Sequence, residues 1–176
     1  HAKEYAGKIE QTCNNVTPTV KKLFSAAEHV NNRDSQDALH PVRFSAAVLF
    51  EDGTIEASWM LKGLEYGCTL DPISQLVRDM ERKKVCVPCD AAGNDSPVAN
   101  IHQAGLITKP VILVMCDQFG VAHAPFAQAR SLLCEHGYGY VQVLVHGKDG
   151  VLCTSTAEEL VPQPPGTRLV SCDIFH

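Results

Sequence analysis

The residues of this chain best suited to chemistry are its eight cysteines, above all the pair in Cys86-Val87-Pro88-Cys89. Such a Cys-x-x-Cys can supply half of a tetrahedral zinc site or a redox-active dithiol. Cys68, Asp71, Cys116 or His123 could complete a metal site, and His102 lies in the same segment. A dedicated zinc site ordinarily shows two pairs, and a single pair arises readily in a cysteine-rich chain. Cys86 and Cys89 are therefore an alternative metal site, with zinc the alternative cofactor. The ordinary reading is a loop pair that holds no metal. Several other cysteines, Cys116 and Cys134 among them, fall in apolar periodic segments. They read as core thiols with a reducing, intracellular history rather than as a disulfide framework.

Other side chains carry two readings each. Asp71 is either a pocket carboxylate or the N-cap of a helix opened by Pro72, and Asp-Pro favours the cap. Lys62 and Glu65 either line a pocket or form a solvated pair at helical spacing, the plainer choice. Trp59 and Phe126 could stack on a planar ligand, but Phe126 as core filler is simpler. Tyr138 and Tyr140 alternate as strand residues do, and so cover one face.

The elements that must position these groups follow from periodicity. Thr17-Pro18 opens a helix whose Val20, Leu23, Phe24, Ala27 and Val30 share one face, and Asn31-Asn32 with Asp34 ends it. Val42 to Phe50 reads as a strand, with Glu51-Asp52-Gly53-Thr54 turning into a second at Ile55 to Met60. A helix after Asp71-Pro72 carries Ile73, Leu76, Val77 and Met80 as its buried stripe. Strands are expected at 111–116, 138–146 and 151–154, and a helix at 126–136. Thr156-Ala157-Glu158-Glu159 fits a capping box for a brief last helix. The order implies an α/β protein, a three-layer α/β/α sandwich around a mixed five-stranded sheet. Residues 1–16 form an N-terminal arm, 17–162 the domain with an insertion loop at 84–109, and 163–176 a C-terminal tail.

Composition narrows the function classes. The chain has 176 residues, 45% of them hydrophobic, which suits one domain with a substantial core. Net charge is −5, and basic residues cluster no further than Lys21-Lys22 and Lys83-Lys84, so no nucleic-acid footprint is expected. The longest apolar run, Val111 to Cys116, falls far below the roughly 18 residues of a membrane span, so no direct membrane insertion is expected. The first residue is His1 rather than Met; a trimmed chain is one reading of that, and a cleaved organelle presequence with a mitochondrial setting is the other expectation.

His123-Ala124-Pro125-Phe126-Ala127-Gln128-Ala129-Arg130, followed by Ser131-Leu132-Leu133-Cys134-Glu135, resembles the second metal motif of the cytidine deaminases, Pro-Cys-Gly-x-Cys-Arg-x-x-x-x-Glu. Pro125, Arg130 and Glu135 keep their intervals, whereas Phe126 and Ala129 stand in for the two zinc-ligating cysteines. Phe44-Ser45-Ala46-Ala47-Val48-Leu49 with Asp52-Gly53, Tyr66-Gly67, and Glu159-Leu160-Val161-Pro162 resemble further family segments in the same order. From about Val20 to Pro162 the chain looks like a single-domain cytidine deaminase of the tetrameric type. The resemblance puts the family's Cys-Ala-Glu on Asp71-Pro72-Ile73, or Leu70 in the glutamate's place if Cys68 takes the cysteine's. It puts the ribose clamp Asn-Val-Glu on Met60-Leu61-Lys62. Hydrolytic deamination needs a zinc-bound water and a glutamate to shuttle protons, and an aliphatic side chain does neither.

The resemblance therefore implies a degenerate family member with no catalytic and no metal-binding residues. A vestigial pocket would be formed by Phe44, Met60, Lys62, Asp71, Ile73, Phe126 and Ala129. The expectation is a non-catalytic structural or interaction subunit with other protein subunits as partners, in a homo- or hetero-oligomer, with Arg130 paired to a carboxylate at an interface. The alternatives are a diverged zinc-dependent nucleoside or base deaminase with a relocated metal, and a nucleoside-type ligand-binding module.

Overall fold

A computed structural model describes residues 17–65, 68–85 and 108–162. The expected arm at 1–16, the tail at 163–176, Tyr66-Gly67, and residues 86–107 of the insertion, with Cys86, Cys89 and His102, lie outside the described residues.

Eight elements follow in order: α1 (Pro18–Asn31), β1 (Phe44–Phe50), β2 (Ile55–Trp59), α2 (Pro72–Val85), β3 (Pro110–Asp117), α3 (Ala127–Glu135), β4 (Gln142–His146) and β5 (Leu152–Thr156). The strands form one sheet in the order β2-β1-β3-β4-β5. All neighbours are antiparallel except β3 and β4, which run parallel and pair Leu113 with Val143. Two apolar layers result. On one face Leu23, Phe24 and Ala27 of α1 pack on Ala47, Leu49, Val114, Cys116 and Leu144. On the other, Ile73, Leu76, Val77 and Met80 of α2 and Ala129 and Leu133 of α3 pack on Ala46, Val48, Leu113, Met115 and Val143. Because β1 and β3 are covered on both faces, their sequences are near-continuous apolar runs without alternation. This is the α/β/α sandwich with a mixed sheet that the pattern predicts.

Local chemistry explains the turns. Gly53 takes φ +82° in the β1–β2 hairpin, a conformation that costs a side-chain-bearing residue energy, and Asp52 Oδ1 accepts the Thr54 N–H at 2.9 Å. The α2 stripe is fully buried as expected, each side chain contributing roughly 1.5–3 kcal/mol.

Four expectations are corrected. Thr17 sits at the N-cap of α1, but its hydroxyl makes no capping bond. Residues 138–141 precede β4 and are not strand. Gly137, at φ +79°, ends α3 while the Gly137 and Tyr138 amides return to the Cys134 and Leu133 carbonyls at 3.0 and 2.7 Å. This paired closure turns Tyr138 inward against Leu133. Tyr138 is buried and Tyr140 exposed, so the two cover no common strand face. The capping box at Thr156 forms, with the Glu159 carboxylate accepting the Thr156 N–H at 2.8 Å and Thr156 Oγ1 accepting the Glu159 N–H at 3.2 Å. Only a turn follows it, since Pro162 leaves too few residues to propagate a helix.

Candidate functional site

The segment that leads into α3 lies at the sheet end where β1 begins and β3 finishes. Phe126 flanks the helix start and is 38% exposed, its ring set edge-on to Phe44 with centroids 5.2 Å apart. It therefore does not fill the core, as the sequence suggested. Ala129, one helical turn on, is fully buried among the α2 and sheet side chains. Arg130 finds no carboxylate among the described residues. Its Nη1 donates to the Leu160 carbonyl at 2.6 Å, tying α3 to the end of the domain. Glu135 is exposed at the helix C-terminus.

At the start of α2, Asp71 is a working N-cap. Its Oδ1 accepts the Ile73 and Ser74 amides at 2.9 and 3.0 Å, and Oδ2 accepts the Ser74 hydroxyl. Its carboxylate is thereby committed to the helix end. Ile73 is fully buried, and Leu70, its counterpart in the other register, is exposed. Met60 is buried and donates its N–H to the Phe44 carbonyl at 2.8 Å.

Lys62 goes elsewhere. It lies in a strap after β2 that doubles back through a mutual backbone pairing of Leu61 with Leu70. Its ammonium sits 2.8 Å from Asp34 Oδ2, with both side chains almost sealed from water at 2% and 1% exposure. It also donates to the His40 carbonyl at 2.6 Å. The expected solvated pair with Glu65 is thus replaced by a buried one that staples the strap to the α1–β1 connection. Nearby, Asn31 donates to Ser45 Oγ at 3.1 Å within the α1 face. Trp59 pairs across from Ser45, so it belongs to that face and carries the Arg33 guanidinium 4.9 Å from its ring centre. Phe126 lies against Phe44 on the opposite face, so the two aromatics cannot clasp one ligand.

The β3–α3 connection holds a polar constellation. Asp117 Oδ1 accepts the Phe119 and Val121 amides at 2.8 and 3.0 Å, and Oδ2 lies 2.9 Å from His123 Nε2. Burial pushes the Asp117 carboxyl up, but the bonds from His123 and the two amides outweigh it and hold it below the usual carboxylate range. His123 is half-exposed and lies edge-on to Phe44. Across the sheet plane, His146 at the end of β4 accepts the Ala122 N–H on Nδ1 at 2.8 Å.

Of the expected pocket residues, Phe44, Ile73 and Ala129 come together in one apolar layer. Phe126 rests on its rim, Asp71 caps α2, and Lys62 is diverted to the far face. The side chains at the α3 start do not fit zinc, since phenylalanine and alanine offer no donor. Among the described residues no cluster of three or more His, Cys, Asp or Glu side chains could hold a metal ion. None of Cys68, Cys116, Cys134 and Cys153 is in a disulfide. No described helix is long and apolar enough to cross a membrane. Sequence reasoning missed Asp34, Asp117 and His146. Asp117 alone carried a signal, as an acidic residue followed by Gly120 at a strand end.

A mixed sheet in this order, with one helix on one face and two on the other, is a cytidine deaminase-like fold, and comparison with solved structures bears that out. The cytidine deaminase from Mycobacterium leprae superposes with a TM-score of 0.55 at 17% identity, over 81% of this chain and 97% of that one. The enzyme from Mycobacterium tuberculosis gives 0.55 at 18%, over 83% and 96%. That from Burkholderia pseudomallei gives 0.55 at 15%, over 84% and 98%. No protein-family model matches the sequence, and no curated protein matches it significantly.

Proposed function

We propose that this chain is a non-catalytic cytidine deaminase-like protein, acting as a structural or interaction subunit of an oligomer or larger assembly. The observation that carries the reading is Ala129. It occupies the place that the sequence resemblance gives to a zinc thiolate, and it is fully buried in the apolar layer between α2, α3 and the sheet. Ile73, at the place of the proton-shuttling glutamate, is buried in the same layer. Lys62, at the place of a ribose ligand, is spent on a buried ion pair. Positions that would carry hydrolysis thus serve packing.

The interaction role draws support from the strap. Leu61 and Leu70 pair directly, so their side chains stand on one side, and both are exposed, as is Leu64 between them at 88%. Large contiguous apolar patches on a surface mark interaction sites, and these three leucines are the candidates for one.

Elemental mass spectrometry of the purified chain, run beside a cytidine and deoxycytidine turnover assay, tests the first half. The expected result is no stoichiometric zinc and no ammonia release. One zinc per chain that disappears in Cys86→Ser or Cys89→Ser would overturn it and favour the relocated metal site. Sedimentation velocity and crosslinking in extract test the second half. A chain that stays monomeric and crosslinks to nothing would refute the subunit reading.

A further inference from the structure

The β3–α3 connection, folded back on β3 by its own bonds, is gripped from β4 by one ring, that of His146. After the Asp117–Gly120 turn, where Gly120 takes φ +77°, residues 121–123 return beside the end of β3: Asp117 donates to the Val121 carbonyl at 3.1 Å, and His123 to the Met115 carbonyl at 2.8 Å. Ala122 is thereby lodged between the ends of β3 and β4, bridged to Cys116 on one side. On the other side His146 grips both its backbone groups. The His146 N–H donates to the Ala122 carbonyl at 2.9 Å, and its Nδ1 accepts the Ala122 N–H at 2.8 Å.

The second bond fixes the ring's chemistry. A nitrogen that accepts carries no proton, so the ring is neutral with its proton on Nε2. Nε2 is itself buried and has no hydrogen-bond partner among the described residues. A second proton would have to enter at Nδ1, opposing one N–H with another, and would leave a charge in a buried site. The surroundings offer little relief. From α1 the Phe24 ring lies 6.0 Å away, and Glu28 reaches only the Gly120 turn, 3.2 Å from where a Cβ there would stand. β5 opposes with Leu152, and β3 brings Cys116 on the far side of Ala122. The titratable groups that act on the ring are His123 and Asp117.

We propose that His146 is a proton-operated latch: neutral, it clamps Ala122 and shapes the aromatic sheet end that carries Phe119, His123 and Phe126; protonated, it releases the 117–126 connection. Burial, reinforced by His123 and opposed by Asp117, holds the ring below the usual histidine range. The closed form therefore binds fewer protons than the open one. Its stability is complete above about pH 6.5, where an open histidine titrates, and falls as the pH drops below that value. This device does not depend on whether the chain is an enzyme or a subunit.

The test is amide hydrogen exchange of the full chain between pH 7.5 and 5, corrected for intrinsic rates and read beside imidazole nitrogen NMR of His146. At pH 7 the ring is expected as the neutral Nε2–H form. Below about pH 6.5 the opening equilibrium at Ala122 is expected to rise by up to tenfold per pH unit, while the α2 amides stay protected. His146→Asn keeps an acceptor near the Nδ1 position with nothing to titrate, so its profile is expected to be flat over that range. His123→Gln removes the other histidine and is expected to keep the response. A ring already charged at pH 7, a response abolished by His123→Gln, or Ala122 protection unchanged while His146 titrates would each overturn the latch. The wild-type readings decide the matter even if a variant fails to fold.

Discussion

Replacing Lys62 by Met removes one member of the only ion pair among the described residues with both side chains almost sealed from water. Asp34 would be left as a lone carboxylate with Oδ1 on the Gln36 amide at 3.3 Å and no cation at Oδ2. Breaking one partner of such a pair costs about 3–5 kcal/mol. For a chain of this size each kcal/mol lowers the melting temperature by about 2–4 °C, so Lys62→Met should lose roughly 6–20 °C. Arg82–Asp79 is the internal comparison, at 3.3 Å with the arginine side chain 75% exposed, and Arg82→Ala should cost less than about 1 kcal/mol. Adding Asp34→Asn to Lys62→Met leaves no charge buried and should restore most of the loss, because asparagine can still meet Gln36. Urea unfolding of the four proteins, read by fluorescence of the single Trp59, supplies the free energies. If Lys62→Met proves no more harmful than Arg82→Ala, the pair is not dry and the reasoning fails.

Asp71→Ala should cost about 1–2 kcal/mol in urea unfolding, since two amides and the Ser74 hydroxyl lose their acceptor. Ala129→Leu should cost about 1–3 kcal/mol by overpacking, and half-exposed Phe126→Ala distinctly less than removal of a core phenylalanine; thermal melts rank them. Burial, then the Glu81 carboxylate at 2.7 Å, pushes the Tyr138 phenol far above the ordinary tyrosine range. An acid held neutral by the fold stabilises it fully below about pH 10, and that contribution disappears as the pH rises through the folded value. In an alkaline absorbance titration one of the four tyrosines should therefore stay silent until unfolding, and Tyr138→Phe should remove that silent step.

The elements were legible in the sequence because each buried stripe is written locally. Leu23, Phe24 and Ala27, or Ile73, Leu76, Val77 and Met80, need no knowledge of the sheet to be read as inward faces. Asp71-Pro72 was equally plain, since a cap acts within three residues. Two of the misreadings, Lys62 and His146, come from a partner remote in sequence, and two, Tyr138 and Phe126, from how a helix ends or begins. Lys62 looked solvated because Asp34 belongs to another connection. Tyr138 looked like strand because its inward turn depends on how Gly137 closes α3. His146 read as the last residue of an apolar strand, and only the return of Ala122 to its side gives the ring a role. Phe126 was expected inside because its counterpart in the resemblance is a ligand, yet the helix start leaves it at the rim.

The sheet order also bears on how the chain finds its fold. β1–β2 and β4–β5 are hairpins joined by short turns, which close in microseconds. The β1–β3 seam, which pairs Phe44 with Asp117 and Leu49 with Ile112, joins strands separated by α2 and the segment around it. Closing so long a loop is entropically costly before its contacts form. Docking of β3 on β1 is thus the expected slow step, with the terminal hairpin added around it. A cavity at Met115 in that seam should slow refolding, whereas one at Val145 beside β5 should mainly hasten unfolding, and stopped-flow chevrons separate the two. The middle strands, last in reach, would then decide how long the apolar faces stay open to neighbouring chains.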